Sequence, residues 1–160
     1  MRLGAARLAT LALLAVTVAA CGQAPLPPRL GGLRRSRVWT GERAARMISE
    51  LHGKRVAPVN STIAEYGKDG RLRVWLSRYP DPSHAQRAFA TMLARLGSGD
   101  AAFTKPRQEP DDPGRWFTVG PGGHHVLWAS GASIYWVQAD PGLLERALLE
   151  LPGPSRSLWI

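Results

Sequence analysis

Apolar and polar positions divide the chain into three stretches of different character. Leu8 to Val18 is a nearly continuous apolar run, residues 22–37 have neither a helical nor a strand period, and from residue 38 onward the two periods alternate. In that last stretch, Ala44, Met47, Ile48 and Leu51 recur at helical spacing, with Thr40 as a cap and Gly53 as the stop, which predicts a first helix. The period then becomes two. Ile63 and then Leu72, Val74 and Leu76 are assigned to one face of a hairpin closed by Gly67-Lys68-Asp69-Gly70, with Thr62, Arg71 and Arg73 on the other. Asp81-Pro82 opens a second helix, the acid as cap and the proline in the first turn, with Ala85, Phe89, Met92, Leu93 and Leu96 inward.

Residues 98–114 are polar and broken by Pro106, Pro110 and Pro113, leaving room for one short edge strand near Ala101 to Thr104. Three strands follow, Arg115 to Val119, His124 to Ser130 and Ser133 to Ala139, joined by turns at Gly120-Pro121-Gly122-Gly123 and Gly131-Ala132. The register of those turns puts Phe117, Val119, Val126, Trp128, Tyr135 and Val137 on one face. Trp116, Leu127, Ile134 and Trp136 lie on the other, with Thr118 and His125 at its end. Both faces are apolar. Asp140-Pro141 starts a last helix with Leu144, Ala147, Leu148 and Leu151 inward. The hairpin, Asp-Pro and helix succession thus occurs twice, a pattern that fits either duplication or the commonness of Asp-Pro as a helix start. The predicted fold is α+β: a mainly antiparallel sheet of about five strands with three helices largely on one face.

The first apolar run is too short to span a bilayer as a mature helix. With Arg2 and Arg7 before it and Ala19-Ala20 after it, it has the form of a secretion signal. Cys21 follows, and Val18-Ala19-Ala20-Cys21 resembles the lipobox of bacterial lipoprotein precursors. The resemblance implies cleavage before Cys21, acylation of its sulfur and usually of the new amino terminus, and a membrane anchor facing the periplasm or the cell exterior. In a diderm host, Gly22 fits sorting to the outer membrane. Two or three acyl chains would hold stably where one is marginal. The expected organisation is a signal peptide over 1–20, a lipidated cysteine and Pro/Gly/Arg-rich tether over 21–37, and a single domain over 38–160. Arg34, Arg35 and Arg37 in that tether lie within reach of the bilayer, and a solvated linker accounts for them equally well.

Charge changes the picture less than its total suggests. The formal net charge is +9. Six arginines precede residue 38, and beyond it fifteen Lys or Arg face all twelve acids, leaving the domain at +3. That balance argues against a nucleic-acid partner. Cys21 is the only cysteine, so the domain has no disulfide and no thiolate chemistry.

Candidate chemistry is sparse. His124 and His125 point to opposite faces of one strand, no metal-ligand spacing occurs, and no cofactor motif is present. Ser130-Gly131-Ala132-Ser133 is explained as a turn, and Asp111-Asp112 as solvated loop residues. If the aliphatic face takes the helices, Trp116, Leu127 and Trp136 with His125 form the floor of a groove for an apolar ligand, a glycan or an envelope protein; the competing expectation is that the first helix or residues 98–114 cover it. Arg71, Arg73 and Arg78 beside Trp75 form a second candidate, a contact for anionic groups centred on Arg71 and Arg73; the competing expectation is a solvent-facing edge strand whose charges prevent aggregation. The functional expectation is a lipid-anchored, non-catalytic binding module. The alternatives are an envelope hydrolase using His125 as base and a structural subunit of an envelope complex.

Overall fold

The computed structural model describes residues 26–52, 60–98 and 102–155. The lipobox with Cys21, the Gly53 stop and Ala101 lie outside the described residues.

The elements run β1 (Arg29–Leu30), β2 (Leu33–Thr40), α1 (Gly41–His52), β3 (Asn60–Tyr66), β4 (Leu72–Arg78), α2 (Pro82–Gly97), β5 (Arg107–Gln108), β6 (Trp116–Gly120), β7 (Gly123–Ser130), β8 (Ser133–Ala139) and α3 (Pro141–Glu150). The class is α+β, but the sheet has eight strands rather than about five, in the order β1-β2-β3-β4-β8-β7-β6-β5. Every pairing is antiparallel.

The meander keeps its predicted register. Phe117, Val126 and Val137 stand in one row, Trp116, Leu127 and Trp136 in another. The first hairpin does not. Its turn, with Gly67 at φ 79° and Gly70 at φ 62°, pairs Tyr66 with Leu72, which sets Ile63 opposite Trp75 and on the face away from Val74. The short edge strand falls at Arg107–Gln108 instead of Ala101 to Thr104, where the Thr104 amide donates once to the Val119 carbonyl across 2.8 Å.

The tether is the largest correction. Pro25, Pro27, Gly31 and Gly32 break every period, so the segment reads as a linker, but a Gly-Gly pair is also what a two-residue hairpin needs. Gly31 at φ 57° and Gly32 at φ 79° make that turn between β1 and β2. Leu30 is fully buried and Leu26 nearly so, both within the main core, and the Tyr66 hydroxyl donates to the Pro27 carbonyl across 2.9 Å. The folded unit therefore includes residues 26–37. A bulge between Arg35 and Arg37 then shifts the register and puts Arg37 opposite Glu65.

The helices occupy both faces, because a sheet apolar on both sides must be covered twice. On one face α1 packs Ala44 and Ile48 on Ile63, and α2 packs Phe89, Met92 and Leu96 on Leu127 and Trp136. On the other, α3 packs Leu143, Leu144 and Ala147 into the main core of Tyr66, Leu72, Val74, Trp128, Tyr135 and Val137. β4 and β8 lie side by side with Trp75 opposite Trp136, so the two hairpins are arranged with approximate twofold symmetry. The helices that follow them sit on opposite faces, which a duplicated unit would not do. This opposes a duplication, and in both helices the proline stands in the first turn.

Candidate functional site

The expected tryptophan groove is filled. Leu127, Trp136 and His125 are 0%, 4% and 2% exposed. Above them lie Phe89, Met92 and Leu96 of α2 and, from the proline-rich segment, Phe103. Phe103 stands edge-on to both His125 and Trp136, with ring centroids 5.1 Å and 5.4 Å away. These three residues are core, and only Trp116 of the four keeps partial exposure.

His125 is held as a neutral ring. The Trp136 indole N–H donates to its Nδ1 across 2.8 Å, which requires a lone pair there, and its Nε2 lies 3.1 Å from the Pro121 carbonyl, to which it donates. Burial lowers its pKa to about 4; the bond to Pro121 opposes this and the neighbouring His124 adds to it. A general base needs a free lone pair pointing at substrate. This ring spends its only one on Trp136, so the hydrolase alternative loses the base on which it was built.

The arginine patch is also accounted for internally. Glu65 is buried on β3, and Arg73 of β4 donates to its carboxylate from Nε at 2.9 Å and from Nη2. Arg37 approaches the same carboxylate at 3.7 Å. The Arg73 guanidinium also lies 5.4 Å from the Trp75 ring centre, and Arg71 pairs with Asp140 at 3.4 Å. Arg71 and Arg73 thus have acids of their own, which leaves little for an external anion.

Among the described residues, two concavities lie at the β5–β6 end of the sheet. On the α2 face, Trp116 lines an apolar groove of about 250 Å³ with Phe89, Leu93, Pro113 and Pro154. On the α3 face is a larger cleft of about 410 Å³. Its floor is Phe117, Val126, Leu144 and Leu148. Glu109, Asp111, Asp112 and Glu145 bring carboxylates to it, and Arg107, Arg115 and His124 complete it.

No family model, no curated protein and no solved structure matches this chain.

Within the cleft the cations are partly committed. The Arg107 guanidinium lies 4.8 Å from the centre of the Phe117 ring, and His124 meets the same ring edge-on at 5.3 Å. Arg115 pairs with Asp112 at 3.4 Å, donates to the Leu148 carbonyl at 3.3 Å and lies over Trp128. Its buried Nε has no partner among the described residues. Four carboxylates against two guanidiniums leave the rim acidic above an aromatic and aliphatic floor. Such a site suits a ligand or side chain with an apolar body and a neutral or positive end. Among the described residues no group of three or more His, Cys, Asp or Glu is placed to hold a metal ion, and no helix is long and apolar enough to cross a membrane.

The sequence does not disclose this cleft. Asp111 and Asp112 read as a solvated pair in a loop, and His124 reads only against its neighbour His125. What brings them together is α3 lying on the Phe117 and Val126 face, and nothing in the periodicity of α3 says which face it takes.

Proposed function

We propose that this chain is a bacterial envelope lipoprotein, anchored by acyl chains on Cys21 and facing the periplasm or the cell exterior. Its domain acts as a non-catalytic binding module for an envelope ligand or partner protein. If the host is diderm, Gly22 favours the outer membrane. The anchor reading is supported by the Val18-Ala19-Ala20-Cys21 motif behind its charged and apolar leader. The binding reading is carried by the α3-face cleft, which combines an aromatic floor with convergent charged groups. The residues in it that would contact a ligand are Phe117, His124, Leu148 and Glu145, in place of Trp136, Leu127 and His125.

Two measurements test the two halves separately. Radiolabelled palmitate should enter the parent protein and be absent from the Cys21→Ser form; equal labelling, or none in either, removes the anchor. Chemical-shift mapping of the isotope-labelled protein against fractionated envelope extract should move resonances of Phe117, His124 and Leu148. Shifts confined to the opposite end of the sheet, or none with any fraction, would remove the cleft as a binding site.

A further inference from the structure

We infer that the β1–β2 edge of the sheet is a docking surface for an anionic phospholipid bilayer, which leaves α3 between the membrane and the cleft. This rests on the reading of Cys21 as the lipid-bearing residue, and the first observation is one of reach. Leu26 is 5% exposed and fixed in the core, and its carbonyl accepts from Arg35 Nη1 across 2.9 Å. Five residue steps separate it from Cys21. At full extension they span no more than about 18 Å. A domain on so short a lead cannot range away from its anchor, so the surface around Leu26 faces the lipid.

That surface is basic by construction. Arg29 and Arg34 are exposed and directly opposite each other across the β1–β2 ladder, on the side away from buried Leu30. Like charges in that relation repel unless a counter-charge lies over both. The Arg34 carbonyl accepts from Gly67, which brings exposed Lys68 of the β3–β4 turn to the same corner, and Arg37 follows along β2 with its side chain 69% exposed. Four acids stand nearby: Asp69 in the turn, Glu150, whose carboxylate takes the Gly31 amide at 3.1 Å, Asp140, engaged by Arg71, and Glu65, engaged by Arg73 and Arg37. None is paired with Arg29 or Arg34 in a hydrogen bond or ion pair among the described residues. A layer of phosphate headgroups supplies what the pair lacks.

The consequence lies with α3. Its Leu143 and Glu150 meet the turn between β1 and β2, where the Gly31 amide donates to the Glu150 carboxylate across 3.1 Å, and its Leu144, Glu145 and Leu148 line the cleft. At about 3.6 residues per turn those two sets of residues lie on opposite sides of the helix. Docking of the β1–β2 edge would leave α3 between the lipid and the cleft.

The test uses residues 21–160 with Cys21→Ser, a chain that carries neither the lipid nor the apolar leader, and vesicles of phosphatidylcholine with or without one-third phosphatidylglycerol. Sedimentation should show binding that prefers the anionic vesicles and weakens as salt rises. Each arginine at such a surface is worth roughly fivefold in partition, so Arg29→Gln/Arg34→Gln should lose about 25-fold on anionic vesicles. Arg29→Lys/Arg34→Lys should keep most of it, and Arg87→Gln/Arg95→Gln on α2 should lose little despite the same change in charge. Unchanged circular dichroism and melting identify a folded variant. Equal losses for the two glutamine pairs, or no preference for anionic vesicles, overturn the inference. Failure of palmitate to label the parent would count against the anchor instead, and the vesicle result reads independently of it.

Discussion

The indole N–H of Trp136 and Nδ1 of His125 meet at 2.8 Å beneath α2, and the bond fixes the protonation state of a residue that sequence alone offers as a catalytic base. Protonating His125 would place a second hydrogen against that N–H inside a buried aromatic cluster. Its pKa is about 4 in the folded state against an ordinary 6.5. The unfolded chain takes up this proton as pH falls through 6.5, while the folded chain resists until about 4. The contribution is therefore intact above the upper value, declines across that window and is lost below it, in all about 3 kcal/mol. Urea denaturation of parent and His125→Gln at pH 7, 5 and 4 should show the difference in their stabilities shrinking toward acid. A constant difference would mean that the ring is protonated in place.

The meander was legible because Gly120 to Gly123 and Gly131-Ala132 leave no freedom of register, and the two Asp-Pro starts placed α2 and α3. Even there the two caps differ in use. Asp81 accepts from the His84 amide at 2.9 Å, whereas Asp140 makes no side-chain cap bond and pairs with Arg71. What was not legible is which layer covers which face. Periodicity says that α2 and α3 each have an apolar stripe, but the stripes are interchangeable in composition. An arrangement with both on one side would leave Trp136 and His125 bare and would form no cleft beside α3. Residues 26–37 are hidden in the sequence for a different reason: β1 and β2 pair at an edge, where only Leu26, Leu30 and Leu33 face the core and the arginines between them read as solvated chain.

Leu30 discriminates directly between a tether and an edge hairpin. It is fully buried beside Tyr66, Leu72 and Leu143 in the main core. Leu30→Ala should destabilise by about 2–5 kcal/mol, the range for removing a leucine from a packed interior. Urea unfolding that matches the parent within error would return the segment to a linker.

Glu65 holds together three strands, since Arg37 on β2 and Arg73 on β4 converge on it from either side. Its side chain is 8% exposed against 38% for Arg73 and 69% for Arg37. Glu65→Gln leaves Arg73 half-buried without its counter-charge and should cost about 2 kcal/mol, below the cost of breaking a fully buried pair because Arg73 retains solvent. Arg37→Gln should cost under about 1 kcal/mol. Thermal melts of the two variants at one pH give the order, and a larger loss for Arg37→Gln would show that the bulge, and not the carboxylate, organises this edge.

Gly120 is needed for its missing side chain. A Cβ there would overlap the ring of Phe103, the residue that closes the α2 face over His125 and Trp136. Gly120→Ala should displace Phe103 and cost about 1–3 kcal/mol as overpacking. A red shift of tryptophan emission should accompany it as Trp136 gains water. Phe103→Ala removes the ring without the clash and should give the same red shift, so a shift in Gly120→Ala alone would point to damage in the β6–β7 turn.

The cleft beside α3 makes a prediction about charge that does not depend on knowing its natural occupant. Phe117, Val126, Leu144 and Leu148 offer one apolar floor to any small aromatic body, while Glu109, Asp111, Asp112 and Glu145 outnumber Arg107 and Arg115 at the rim. Phenethylamine and phenylacetate have the same shape and opposite charge, so the floor treats them alike and the rim does not. Chemical-shift titration should show the amine bound about tenfold more tightly, a difference of roughly 1.4 kcal/mol, with shifts centred on Phe117 and His124. Glu145 and Asp111 are exposed and have no ion pair among the described residues, so Glu145→Lys/Asp111→Lys should reverse the preference without unfolding the chain. Equal affinity for the two probes in the parent would mean that Arg107 and Arg115 cancel the acids in place and that the rim sets no preference of sign.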